Sequence, residues 1–137
     1  MKKYIQLAMV LFVTNIAVAQ EKPIKVVFDV TSANTDVHKS AARHVRLMSE
    51  TYPDSEFELV VYSSAYSMVD NNSSAAGETL REIVKNDNVS IVVCANTLKR
   101  NKKSISDLIP GVTTVPDGIY EIIAKQQLGW GYIKEGK

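Results

Sequence analysis

At 137 residues, with 16 Lys and Arg against 15 Asp and Glu, the chain has the length of one small domain and a net charge of only +1. That balance excludes bulk nucleic-acid binding and electrostatic docking on a membrane. A single cysteine excludes an internal disulfide, so stability must rest on an apolar core drawn from the 45% of residues that are hydrophobic.

Lys2 and Lys3 give the chain a positive start. An apolar run from Tyr4 to Val18, broken by Gln6, Thr14 and Asn15, leads to Ala17-Val18-Ala19, a small-x-small cleavage site before Gln20. Together these predict a secretory signal peptide over residues 1–19. The run is too short and too interrupted to span a bilayer, no later stretch could cross one, and no cysteine follows it for a lipid anchor. The mature chain, Gln20 to Lys137, is expected to be periplasmic or secreted as a single domain of 118 residues. Without Lys2 and Lys3, 14 basic side chains face 15 acidic ones.

Ile24 to Val30 reads as a first strand. Asp36 is positioned to cap a helix from Val37 to about Tyr52, with Val37, Ala41, Val45 and Met48 on one apolar face and Pro53-Asp54 ending it. Phe57 to Tyr62 is a second strand, and Ser63 to Ala76 a long polar connection with a short turn at Tyr66 to Val69. A helix over Thr79 to Lys85 turns Leu80, Ile83 and Val84 inward. Val89 to Cys94 is a third strand, followed by a short helix from about Thr97 and a turn at Ser104 to Ile109. Val112 to Val115 is a short fourth strand. Asp117 caps a last helix with Ile119, Ile122 and Ile123 inward, Gly129 ends it, and Trp130 to Ile133 closes the fold as a strand. Strand and helix alternate throughout, which predicts a mainly parallel sheet of about five strands with helices on both faces.

Cys94 closes a β-branched run and opens a polar turn, Ala95-Asn96-Thr97. In open α/β sheets ligands gather where strand carboxyl ends meet helix starts, and a helix start favours thiolate. Free cysteine is also among the most buried residue types, so placement alone leaves a packed, inert thiol equally open. Asn96 and Thr97 are placed either to cap the following helix or to hold an anion beside Cys94, with capping the simpler role. The basic cluster Lys99, Arg100, Lys102 and Lys103 reads as a solvated loop.

Other candidate groups carry less. His38 and His44 lie six apart on one helix, about 600° of rotation, and so face different ways rather than forming a metal pair. Asp29, near the carboxyl end of the first strand, is placed either to approach the same sheet edge as Cys94 or to cap a nearby turn, with capping the expected role. Trp130 and Tyr132 most simply fill core or subunit-interface space. Two short glycosylation-type triplets, Asn72-Ser73-Ser74 and Asn88-Val89-Ser90, are too common a pattern to carry weight. No Gly-rich phosphate loop, nucleophile elbow, zinc spacing or paired-carboxylate motif is present, so neither a cofactor nor a metal is expected.

The carboxyl-terminal half resembles the DsrE/DsrF-like family, in particular its small stand-alone members. The matching blocks are Val92 to Leu98, Leu108-Ile109-Pro110-Gly111-Val112, Val115-Pro116-Asp117-Gly118-Ile119 with Glu121, then Gln126 or Gln127 and Gly129 to Ile133. The resemblance implies a three-layer α/β/α sandwich, assembly as a homo-oligomer, and sulfur carried as a persulfide on the cysteine that Cys94 matches. Two departures stand out. Tyr62-Ser63 replaces a His-Gly pair common in relatives, and Ala95 stands where glycine is common.

Two functions follow. In one, an exported thiol/persulfide sulfur carrier acts through Cys94, with Asn96 and Thr97 stabilising the anion and a donor or acceptor protein as partner. In the other, a non-catalytic homo-oligomeric binding module packs its cysteine inside. In either case the last strand and the Tyr66 to Val69 segment are expected to be covered by a second subunit, with no nucleic acid and, after cleavage, no membrane as partner.

Overall fold

A computed structural model describes residues 21–136; the expected signal peptide and its cleavage site lie outside them. Five strands, β1 (Lys25–Val30), β2 (Glu56–Val61), β3 (Val89–Cys94), β4 (Thr113–Val115) and β5 (Gly131–Glu135), form one sheet in the order β4-β3-β2-β1-β5. Every pairing is parallel. The helices are α1 (Thr35–Thr51), α2 (Gly77–Ile83), α3 (Ala95–Arg100) and α4 (Gly118–Gln127), with 3-10 turns over Ser63–Met68 and Ile105–Asp107. Among the described residues no helix is long and apolar enough to cross a membrane.

The strand order explains the layers. From β1 to β4 each crossover steps the same way along the sheet, and right-handed crossovers then place their helices on one face. The step from β4 back to β5 runs the other way and puts α4 on the opposite face. The clusters of buried apolar residues agree. One face packs Phe28, Phe57, Leu59, Ile91, Leu80, Met68 and Ile109 with Val37, Ala41 and Val45 of α1 and Leu98 of α3. Each large side chain fully buried there contributes about 1.5–3 kcal/mol. The other face holds only Val27, Val60, Val92 and Ile122, with Tyr62, Val115 and Trp130 at its margin.

Several boundaries differ from expectation for local reasons. Asn34, not Asp36, caps α1: its Oδ1 accepts the Asp36 N–H at 2.9 Å. The 63–76 connection is ordered by Asp70, a buried carboxylate that accepts the N–H groups of Asn72 and Ser73 and pairs with Lys103 at 2.7 Å. In the Tyr66 to Val69 segment, Met68 and Val69 are wholly buried in the main core, while Tyr66 and Ser67 are part-exposed. The edge strand β5 does leave Tyr132 and Ile133 part-exposed. On α4 only Ile122 faces in; Ile119 and Ile123 are 57% and 48% exposed, because a single helix crosses this face of the sheet. Gly129 adopts φ +86 and ends α4, as expected.

The α4 face is unusually polar beneath its helix. Glu58 is buried; its Oε2 accepts from Ser90 Oγ and from Lys125 Nζ, both at 2.9 Å, while Oε1 has no hydrogen-bond donor. Glu121 of α4 sits beside it, and burial together with the Glu58 charge pushes its carboxyl above the ordinary range. Trp130 lies just before β5, with the Lys125 ammonium 4.4 Å from its ring centre.

Candidate functional site

The chain leaves β3 into α3 on one face and leaves β4 into α4 on the other. Adjacent strands whose connections part in this way open a crevice at their carboxyl ends. Cys94 is the last residue of β3, and its side chain points to the α4 face alongside Val92. It belongs to neither apolar cluster. Only 6% exposed, it lines a depression of about 400 Å³ with Tyr62, Asn96, Thr97, Lys99, Arg100, Asp117, Gly118 and Ile119.

The helix α3 begins at Ala95, directly after Cys94, and not at Thr97. Cys94 is therefore the residue at the N-cap position, and Asn96 and Thr97 fall in the first turn instead of capping it. Asn96 is exposed and faces the depression with its N–H towards the sulfur. Thr97 is completely buried. Its Oγ1 accepts the Ser63 N–H at 3.0 Å and the Arg100 Nη2 at 3.4 Å. With both acceptor positions taken, its single O–H proton is left for the sulfur. Ser63 makes its bond from φ +57, a left-handed conformation that costs a non-glycine residue.

As a thiol, Cys94 directs its S–H at the Pro116 carbonyl, 4.0 Å away. Burial pushes the thiol up. The N–H groups of Gly118, Thr97 and Asn96, and the Thr97 hydroxyl, favour the charged form and outweigh that, so the thiol lies below its ordinary value. The donors come from two separate chain segments, the start of α3 and the start of α4. Asp117 caps α4 by accepting the N–H groups of Ile119 and Tyr120 at 2.8 and 3.1 Å, and the preceding donor, Gly118 N–H, remains for the sulfur.

Asp29 caps no turn. It is buried in β1, and accepts the Tyr132 hydroxyl at 2.6 Å and the Lys134 ammonium at 3.0 Å. Burial, and then the Asp29 carboxylate, push the Tyr62 phenol up to about 12; its hydrogen bond to Asp29 does the same for Tyr132, also to about 12. Both phenols therefore stay protonated at any physiological pH. The histidines are elsewhere: His38 is buried with Nε2 2.7 Å from the Ser32 carbonyl, and His44 meets Glu135 at 2.8 Å. Among the described residues no cluster of His, Cys, Asp or Glu could hold a metal ion.

Cys94, Asn96 and Thr97, singled out from sequence, are thus brought together. Sequence reasoning placed Asp117 as the cap of α4, as found, but assigned no role at the sulfur to Gly118 or Tyr62. The Pro116-Asp117-Gly118 block was a visible signal, with a capping residue and a glycine just after a strand. Tyr62 registered only as a replacement for histidine.

No family model matches the chain, and no curated protein does. Among solved structures, the chain is similar to MTH1491 from Methanobacterium thermoautotrophicum, a protein of unknown function. The TM-score is 0.74 at 25% identity, over 81% of this chain and 98% of that one. It also shares the fold of the ychN protein from E. coli, with a TM-score of 0.61 at 15% identity over 83% of this chain and 99% of that one.

Proposed function

We propose that this is an exported DsrE/DsrF-like protein that carries sulfur as a persulfide on Cys94. The observation that carries the reading is the set of converging N–H and O–H donors that holds the Cys94 thiol below its ordinary value at the base of an open depression. The sequence blocks around Cys94 and the likeness of fold to MTH1491 support the family.

In the transfer step, the Cys94 thiolate attacks the outer sulfur of a donor persulfide. A new S–S bond forms at Cys94, and the donor's own S–S bond breaks. Its electron pair returns to the donor's inner sulfur, which takes up the proton, so the donor leaves as a thiol and no oxidant is consumed. The product on Cys94 is again an anion, and the same donors serve it. Delivery is the reverse attack by an acceptor thiolate. Lys99 and Arg100, at the rim of the depression, favour an anionic approach. The resemblance supports homo-oligomerisation, and the part-exposed edge strand β5 is a surface available for it.

The 6% exposure of Cys94 supports the second reading, a binding module with an inert thiol. Intact mass of the purified mature protein separates the two. After incubation with a low-molecular-weight persulfide, the carrier gains one sulfur atom, removed by reductant and absent from Cys94→Ser. No gain in the native protein, with normal alkylation once unfolded, would establish the binding module. The same spectrum reports whether the mature chain begins at Gln20.

A further inference from the structure

Gly118 has no positive φ, so its backbone conformation does not call for glycine. Space does. A Cβ at this position would lie 3.1 Å from both Cβ and Cγ of Tyr62 and 3.2 Å from its Cδ1. Ordinary carbon contacts lie at about 3.5–4.0 Å. The first residue of α4 is therefore seated directly on the Tyr62 side chain.

Tyr62 is anchored where it leaves the sheet. Its backbone N–H, at the end of β2, donates to Val30 O at 3.2 Å, which fixes its Cβ to the sheet. Its phenol is pushed up by burial and by the Asp29 carboxylate that it feels. Asp29 is in turn buried and held by Tyr132 and Lys134, whose Nζ also donates to Thr31 Oγ1 at 2.8 Å. The Cβ, fixed by the backbone, cannot swing aside for a helix pressing on it. The separation of α4 from the sheet at this end is set by ring thickness and by the missing Cβ.

We propose that Tyr62 is a positioning residue. Its side chain, fixed to the sheet by β2, sets the approach of α4 and so holds the Gly118 N–H on the Cys94 sulfur. It acts on the sulfur through Gly118 and needs no contact between phenol and sulfur. The inference rests on the thiolate reading of Cys94 given above.

The test is the pH profile of iodoacetamide alkylation of the folded protein, with circular dichroism confirming that each variant folds. The native profile first decides the underlying reading: if folded Cys94 stays inert at every pH, the thiolate reading fails. If it reacts below the normal thiol range, the variants decide the role of Tyr62. Gly118→Ala should move the profile to higher pH, slowing alkylation severalfold on its acid side. Added to Tyr62→Gly, the same substitution should do much less, because all three atoms that the new methyl meets, Cβ included, are gone. An unmoved profile for Gly118→Ala, or an equal shift in both backgrounds, overturns the proposal. Should Gly118→Ala not fold, the comparison passes to Tyr62. Tyr62→Phe, which keeps the ring, should stay near native, and Tyr62→Ala should shift upward. Equal profiles for those two variants, or a downward shift for Tyr62→Ala, overturn it as well.

Discussion

Replacing Thr97 by valine tests the site at its most buried polar atom. The two side chains have nearly the same shape, so the change removes a hydroxyl and leaves no cavity. Two consequences follow from the bonds of Oγ1. The Ser63 N–H, 3.0 Å away, loses its acceptor in a part-buried setting, which costs about 0.5–1.5 kcal/mol of stability. The Cys94 thiolate loses one hydroxyl donor. A hydrogen bond to a charged group is worth about 1.5–3 kcal/mol, and about 1.4 kcal/mol corresponds to a factor of ten in ionisation. The N–H groups of Gly118, Thr97 and Asn96 remain, so the lower end of that range applies. Alkylation of Thr97→Val on the acid side of the profile should then be about tenfold slower than native. Thr97→Ser keeps the hydroxyl and should stay near native in reactivity. Urea unfolding and iodoacetamide kinetics on the same samples measure both effects. A Thr97→Val protein that loses stability but alkylates at the native rate would refute the assignment of the hydroxyl proton to sulfur.

Ser63→Gly should raise stability by about 1 kcal/mol, since φ +57 strains serine and not glycine; the urea midpoint reads it, and an unchanged or lower midpoint would count against strain there. Glu121→Gln should stabilise at neutral pH. Burial and the Glu58 charge raise the Glu121 carboxyl, so its ionisation costs stability above that raised value and nothing below its ordinary one. The gain should therefore fade as pH falls, and a gain independent of pH would contradict this. Asp70 behaves oppositely. Its hydrogen bond to Lys103 holds its carboxyl below the ordinary value, so its contribution is full above that ordinary value and is lost as pH falls through the lowered one. Lys103→Met should flatten the acid side of the stability curve, and melting temperatures across that range check it.

Much of the fold could be read along the chain. The β-branched runs around Phe28, Leu59 and Ile91 and the helical spacing of Val37, Ala41 and Val45 mark elements whose burial is locally encoded. The third strand has the expected bounds, and α4 has its expected cap and its glycine stop. Readings failed where a residue's role depended on what lay across from it. Asp29 looked like a turn cap because Tyr132 and Lys134, its partners, come from a strand about 100 residues later. Ile119 and Ile123 fit an inward stripe, but among the described helices α4 is alone on its face, so that stripe is narrower than on α1.

The sequence by itself determined the strand–helix alternation, the parallel sheet that alternation requires, and the position of Cys94 at a strand's carboxyl end beside Asn96 and Thr97. These follow from local periodicity and covalent connection. Only the tertiary structure decided that β5 returns to the far side of β1. That one step sends α4 to the opposite face, opens the crevice between β3 and β4, and brings Gly118 over Tyr62 onto the sulfur. The direction in which an N–H points at a distant thiol depends on how whole elements dock, and no local pattern of residues carries that information.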